Sequence, residues 1–329
     1  MSATGYYLIS AILVAGMIWD SFITVFSARG AGFFTRLWTR HFWKVLLTIH
    51  RLRPIHRLLT LVGPFMLLTT IIFWWVILGV SLFAALAAVS DSVINSKSGT
   101  GADFAEIVYF VGSTITSLGY GDLVASGAPW TYISCVAAFA ATVVITISLS
   151  YVLSVLAASI DRKTLAQNIY ALGKNPSEII EKLRKDEEKG LFREYLLNLS
   201  TEINRIAHKH LAYPVLHFFH SLENERSAAR AILLLSDSLF LLSRIPGERE
   251  RSGGLLGVLM GSVVNYGALA DFKLVNPPAR EGEADRILDD AHNLNLDAEH
   301  SDFRKALDNY LPLRRELVAI CLSDGWCDE

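Results

Sequence analysis

Three long runs almost free of charge constrain this chain more than any other feature. From Leu58 to Val89, and again from Trp130 to Ile160, there is no charged side chain. From Tyr6 to Phe26 there is one, Asp20. Each run exceeds the ~20 residues that carry a helix across ~30 Å of hydrocarbon. With 52% hydrophobic residues, 19% charged residues and a mean hydropathy of +0.37, the chain is predicted to be an all-α membrane protein with three spans. Three fully charge-free core helices of this length are a poor fit to a soluble domain.

Charge sets the expected orientation. Between Asp20 and Asp91 stand Arg29, Arg36, Arg40, Lys44, Arg51, Arg53 and Arg57, with no acid among them. Basic loops stay on the cytoplasmic side, which places residues 28–57 inside and the N-terminus outside. The lack of an early Lys or Arg argues against a cleaved signal peptide. Phe33, Leu37, Trp38, Phe42, Val45, Leu46 and Ile49 recur at helical spacing in this linker, with Arg36, Arg40 and Lys44 on the other side. Such a helix either lies in the inner leaflet with its cations on anionic lipid, or packs on the protein's own cytoplasmic part. A voltage sensor would place Arg at every third position within an apolar span, and the spacing here is four. Asp20, near the inner end of the first run, is expected to pair with one of these arginines.

Between the second and third runs lies Thr114-Ile115-Thr116-Ser117-Leu118-Gly119-Tyr120-Gly121-Asp122. Turning successive backbone carbonyls toward one axis requires alternating backbone handedness. Glycine tolerates φ > 0, so Gly119 and Gly121 stand where a ribbon must bend that way. Alone, Gly-Tyr-Gly-Asp also reads as an ordinary turn. Upstream, Asp103-Phe104-Ala105-Glu106 is expected to open a short helix, with acids favoured in its first turn. Downstream, Ser126-Gly127-Ala128-Pro129 makes a turn before Trp130.

With these flanks the stretch resembles the selectivity filter of the potassium channel superfamily, whose core reads T-V-G-Y-G-D. Outer helix, pore helix, filter and inner helix follow in family order over residues 58–160, as in bacterial two-transmembrane pore domains. The resemblance implies that carbonyls of Ser117, Leu118, Gly119 and Tyr120, with the Ser117 hydroxyl, replace the water shell of K⁺. Gly121 completes the ribbon, Thr116 and Asp122 support it, and Tyr120 points away from the ion. One filter per chain implies a homotetramer. It also implies an outward-facing filter, a plasma-membrane location, no cofactor beyond the permeating K⁺ and no enzymatic activity. No nucleic-acid partner is expected.

The departures from the family are specific. Ser117 stands where threonine is usual, and Leu118 is also uncommon. Ser113 occupies the position where some relatives pair a carboxylate with the filter aspartate, leaving the partner of Asp122 open. No glycine occurs from Trp130 to Ile160, so a glycine-centred hinge is not expected. Thr142, Thr146, Ser150 and Ser154 recur every four residues. They either line the cavity below the filter, pack on a neighbouring helix, or bond back to their own carbonyls. The rivals to a potassium-selective channel are a weakly selective cation channel and a non-conducting receptor or scaffold.

Four segments are thus expected: an N-terminal spanning helix (1–27), a basic amphipathic linker (28–57), a pore domain (58–160) and an all-helical cytoplasmic regulatory domain (161–329). In the last, Asn175-Pro176-Ser177-Glu178 reads as a capped helix start. Periodic apolar residues from 191 to 206, then Ala228–Leu242, Leu255–Leu269 and Phe303–Leu322, read as helices. Pro246-Gly247 and Asn276-Pro277-Pro278 read as breakers. Gly253-Gly254-Leu255-Leu256-Gly257 has the wrong spacing, and no strand before it, for a dinucleotide fingerprint. His208, His210, His217 and His220 could gather a metal or respond to pH, though no cysteine cluster supports zinc. Cys321 and Cys327 are expected to be free thiols.

Overall fold

In a computed structural model of the chain, residues 2–27, 30–52, 56–185, 191–248, 254–269 and 284–326 are described. The protein is helical throughout, apart from one short hairpin-like pair of strands. Among the described residues three helices are long and apolar enough to cross a membrane: α1 (Ala3–Phe26), α3 (His56–Ala87) and α5 (Trp130–Tyr170). Between α1 and α3 lies α2 (Phe33–Leu52). The chain divides into two compact units, one of residues 1–39 and 65–154, the other of 40–64 and 155–329. The division falls inside α2, α3 and α5, and in α3 it falls beside Pro64, which cannot donate to the helical ladder. Residues 40–64 group with the second unit.

In the first unit, α3 leads to β1 (Val93–Asn95), then α4 (Phe104–Ile115), the filter ribbon, β2 (Leu123–Ala125) and α5. The strands pair antiparallel, with Val93 opposite Ala125 and Asn95 opposite Leu123. They are too short to give an alternating pattern, which is why the sequence did not announce them. Trp74, Leu78, Leu82 and Leu86 of α3 pack with Phe110, Val111 and Ile115 of α4 and with Ala137, Ala141 and Val144 of α5. This apolar core fixes the short helix that carries the filter.

Asp20 is buried in the same unit, and among the described residues it pairs with no arginine. Its carboxylate accepts from the Phe34 and Thr35 amides (2.9 and 3.3 Å), the Thr35 hydroxyl (2.5 Å) and Trp74 Nε1 (3.0 Å). It thus satisfies orphan N–H groups in the first turn of α2, where the helix dipole also favours an anion. Backbone amides in the first turn of a helix are as good a counter-partner for a buried carboxylate as a cation, and need no residue signature.

The second unit is built from α6 (Pro176–Lys185), α7 (Leu191–Ala212), α8 (Ala228–Leu242), α9 (Leu255–Leu269), α10 (Asp285–Asn293) and α11 (Ser301–Ser323), packed with the end of α5. The capped start of α6 is as read: Asn175 Oδ1 accepts from the Glu178 amide at 2.9 Å, with Pro176 first in the helix. Leu165, Ile169, Ile179, Ile203, Ile232, Leu235, Leu259 and Val263 are essentially inaccessible. At ~1.5–3 kcal/mol for each large aliphatic side chain, such a core is the main support of the unit. α5 runs 41 residues, ~60 Å at 1.5 Å per residue, so Asp161-Arg162-Lys163 does not end it. The sequence reading lacks α10, which buries only Ile287 and Ala291 among charged neighbours. Asn276-Pro277-Pro278 and Cys327 lie outside the described residues, and Gly254 leads into α9 without a preceding strand among them.

Candidate functional site: the re-entrant loop

α4 begins with a capping box. The Asp103 carboxylate accepts from the Glu106 amide (2.8 Å), and the Glu106 carboxylate accepts from the Asp103 amide (2.9 Å). After Ile115 the chain leaves the helix. The Thr116 amide still donates to the Gly112 carbonyl at 3.0 Å, and the Leu118 amide reaches back to the Ser113 carbonyl at 2.9 Å. The partly negative C-terminal end of α4 thus feeds directly into the ribbon.

The backbone of the ribbon alternates. Ser117 (φ +58°), Gly119 (φ +57°) and Gly121 (φ +79°) are left-handed, and Leu118 and Tyr120 between them are not. The two glycines were expected to take this conformation, but Ser117 was not. A non-glycine residue in this region costs ~1–2 kcal/mol and persists only where its surroundings impose it. No Cβ-sized obstacle lies within 4 Å of Gly119 or Gly121, so what reserves these places for glycine is backbone conformation rather than crowding.

Three contacts hold the ribbon from behind. Ser113 Oγ accepts from the Gly119 amide at 3.1 Å. Asp122 Oδ1 accepts from the Tyr109 hydroxyl at 3.4 Å, and the Asp122 carbonyl accepts from the Ser96 amide at 2.9 Å. The position that lacks a carboxylate therefore carries a hydroxyl that serves the filter backbone instead, and Tyr109, one turn earlier, meets Asp122. The sequence offered no signal for either beyond their spacing on α4. The Thr116 hydroxyl donates to the Gly112 carbonyl at 2.7 Å, tying the last helical turn to the ribbon. Residues 116–122 are exposed in the single chain, with Tyr120 71% accessible.

On α5 the hydroxyls of Thr142, Thr146, Ser150 and Ser154 donate to the carbonyls of Ala138, Thr142, Thr146 and Ser150, at 2.9–3.2 Å. All four residues are exposed and form one continuous stripe. Back-bonding is thus the alternative realised within the chain, and it leaves the oxygens on the open face.

α2 presents two apolar faces. Trp43, Leu46, Leu47 and His50 are buried in the second unit, where Trp43 Nε1 donates to the Ser323 carbonyl at 2.9 Å and His50 Nε2 to the Gly325 carbonyl at 3.1 Å. Leu37, Trp38, Val45 and Ile49 remain 46–58% exposed. Of the linker cations, Arg36 donates to the Ala31 carbonyl at 2.9 Å, and Lys44 is exposed.

The histidines His50, His56, His217 and His220 gather around the end of α11. Among the described residues no cluster has the composition of a metal site. His220 Nδ1 donates to the Asp324 carbonyl at 2.9 Å, so the Nε2 of the neutral ring accepts from His56 Nδ1, also at 2.9 Å. His217 Nδ1 lies 3.4 Å from Asp324 Oδ1, and Arg162 Nη2 pairs with Oδ2 of the same carboxylate. Burial lowers the His50, His210, His217 and His220 rings from the usual imidazole range, and His220 falls to about 4. His208 is exposed and stands apart.

Two helices of spanning length, a short helix between them and a ribbon of alternating handedness thus follow one another in the first unit. Residues 69–158 match the family model described as "Ion channel", and the chain carries that domain. A Bacillus subtilis (strain 168) protein described as "Uncharacterized membrane protein YdjJ" is 28% identical over 269 residues, covering 79% of this chain and 76% of the relative. The similarity thus extends well beyond the pore domain. No solved structure matches the chain.

Proposed function

We propose that this protein is a potassium-selective channel, a homotetramer of the plasma membrane whose second unit is cytoplasmic and controls opening. The observation that carries the reading is the left-handed alternation at Ser117, Gly119 and Gly121. Alternating handedness turns consecutive carbonyls to one side, and rings of such carbonyls replace the water around a dehydrated K⁺. K⁺ then sits against the carbonyls of Ser117, Leu118, Gly119 and Tyr120, with the Ser117 hydroxyl at the inner mouth. Thr116, Ser113 and Asp122 support the ribbon.

A single copy leaves residues 116–122 exposed. Irregular backbone at membrane depth is tolerated only where protein covers it or it lines a water-filled path. Four copies around one axis supply both, and set Thr142, Thr146 and Ser150 along the cavity. The basic run from Arg29 to Arg57 supports a cytoplasmic second unit. The exposed apolar stripe of α2 supports contact with the inner leaflet, with Arg36, Arg40 and Lys44 as candidate contacts for anionic lipid.

The test is K⁺ flux from purified protein in vesicles, with reversal potentials measured in a K⁺/Na⁺ gradient. A potential near the K⁺ equilibrium value, blocked by barium, is expected. A potential near zero would make it a weakly selective cation channel, and no flux would favour a receptor or scaffold.

A further inference from the structure

The helical unit carries an open-mouthed cavity of about 270 Å³ that the pore reading leaves without a role. Lys174, Arg230, Asp237, Arg286, Asp290 and Trp326 bring charge and an aromatic ring to its wall. Two of these charges are already answered. Lys174 Nζ bonds Glu225 Oε1 at 2.5 Å, and the Asp237 carboxylate accepts from Tyr310 (2.6 Å) and Arg314 (3.2 Å). What remains is Arg230 and Arg286 against the single carboxyl of Asp290. Among the described residues neither arginine makes an ion pair; the Arg230 guanidinium lies 5.2 Å over the Trp326 ring and donates to the neutral Tyr170 hydroxyl, which leaves its charge unbalanced. Burial, with Asp237 nearby, raises the Asp290 carboxyl, while Arg286 acts in the opposite direction.

Two guanidinium forks facing one pocket repel each other unless an anion lies between them, and their planar geometry suits carboxylate or phosphate oxygens. The volume equals about nine water molecules of liquid, the size of a tricarboxylate or a sugar phosphate. We infer that this cavity is a regulatory site for a small organic anion, a carboxylate or a phosphate ester, gripped by Arg230 and Arg286. Its link to regulation is Trp326. That ring lies 4.8 Å from the His220 ring, and two residues earlier Asp324 holds Arg162 of α5. An anion that draws Arg230 off Trp326 acts on the same short segment that ties α2, α3 and α5 within this unit. The regulatory half rests on the channel reading, whereas the binding half does not.

The experiment is calorimetric titration of the purified full-length protein with inorganic phosphate, pyrophosphate, glucose 6-phosphate and citrate, the first three separating phosphate from carboxylate recognition. At least one probe should bind, and Arg286→Gln and Arg230→Lys should each weaken it about tenfold or more. Arg286 is exposed and unpaired among the described residues, so its variant does not threaten the fold. Arg304→Gln, away from the cavity, should bind as wild type. No heat with any probe at millimolar concentration, or unchanged affinity in Arg286→Gln and Arg230→Lys, overturns the site. The bound probe should also change K⁺ flux at least twofold in wild type and not in Arg286→Gln. Binding with unchanged flux overturns the regulatory half alone, and K⁺ flux absent under every condition sinks the channel reading while leaving the titration to stand.

Discussion

Acidification should loosen the end of α11, and His220 sets the size of the effect. Its Nδ1 proton goes to the Asp324 carbonyl, and its Nε2 accepts from His56, so a second proton would face an N–H already pointing at it. His50 and the other buried imidazoles face the same region, where among the described residues Asp324 is the negative charge acting on His220, and Arg162 already holds it. The folded ring titrates at about 4 against an ordinary 6.5. The unfolded chain therefore binds more protons between these values, and stability is full above 6.5 and declines as pH falls toward 4. At 1.36 kcal/mol for each tenfold change in proton affinity the whole effect is about 3 kcal/mol, of which roughly 2 kcal/mol is lost between pH 7 and pH 5. For a unit of this size that lowers the melting temperature by about 4–8 °C. The assay is thermal unfolding of the detergent-solubilised protein at pH 7 and pH 5, for wild type and for His220→Gln. Glutamine keeps a donor and an acceptor but does not titrate, so its acid-induced drop should be smaller than that of wild type by this amount. Equal drops in the two proteins would refute the reasoning.

Other perturbations reach the filter and the cores. Gly119→Ala places a Cβ on a left-handed residue at ~1–2 kcal/mol and should abolish K⁺ selectivity. Reversal potentials still near the K⁺ value would count against the filter assignment. Ser113→Ala removes the acceptor of the Gly119 amide, a loss of ~0.5–1.5 kcal/mol. It should shorten the conducting state in single-channel records, with Ser113→Thr close to wild type. Asp20→Asn keeps the shape but not the charge that four donors address. It should cost ~1–3 kcal/mol, seen as a lower melting temperature without a change in selectivity. Arg314→Met strands the buried Asp237 carboxylate at ~3–5 kcal/mol. Adding Asp237→Asn should restore part of that stability.

The sequence was legible wherever one residue type answers one physical demand. Charge-free runs mark α1, α3 and α5, because hydrocarbon tolerates little else. Asp103 and Glu106 mark the start of α4, and Asn175, Pro176 and Glu178 the start of α6, because caps need particular side chains at fixed offsets. Gly119 and Gly121 mark the left-handed positions. What was hidden is what the backbone or a distant segment decides. Ser117 adopts φ > 0 despite its Cβ, Ser113 serves an amide six residues on, and Asp20 receives the amides of a helix start. α2 was read with two possible homes and uses different residues for each of its two apolar faces. A 100°-wide stripe model of amphipathicity has room for only one. α10 hides because two buried residues make too short a pattern to detect.

The ladder of hydroxyls on α5 has a consequence for what can approach it. Each of Thr142, Thr146, Ser150 and Ser154 spends its only proton on its own helix. A hydroxyl so committed has nothing left to donate, and offers only lone pairs to whatever lies outside. The exposed row is therefore a file of acceptors, well matched to the hydrogens of water around a cation and poorly matched to an anion. Without a carboxylate among these four residues, the row presents a surface with a preferred sign of charge.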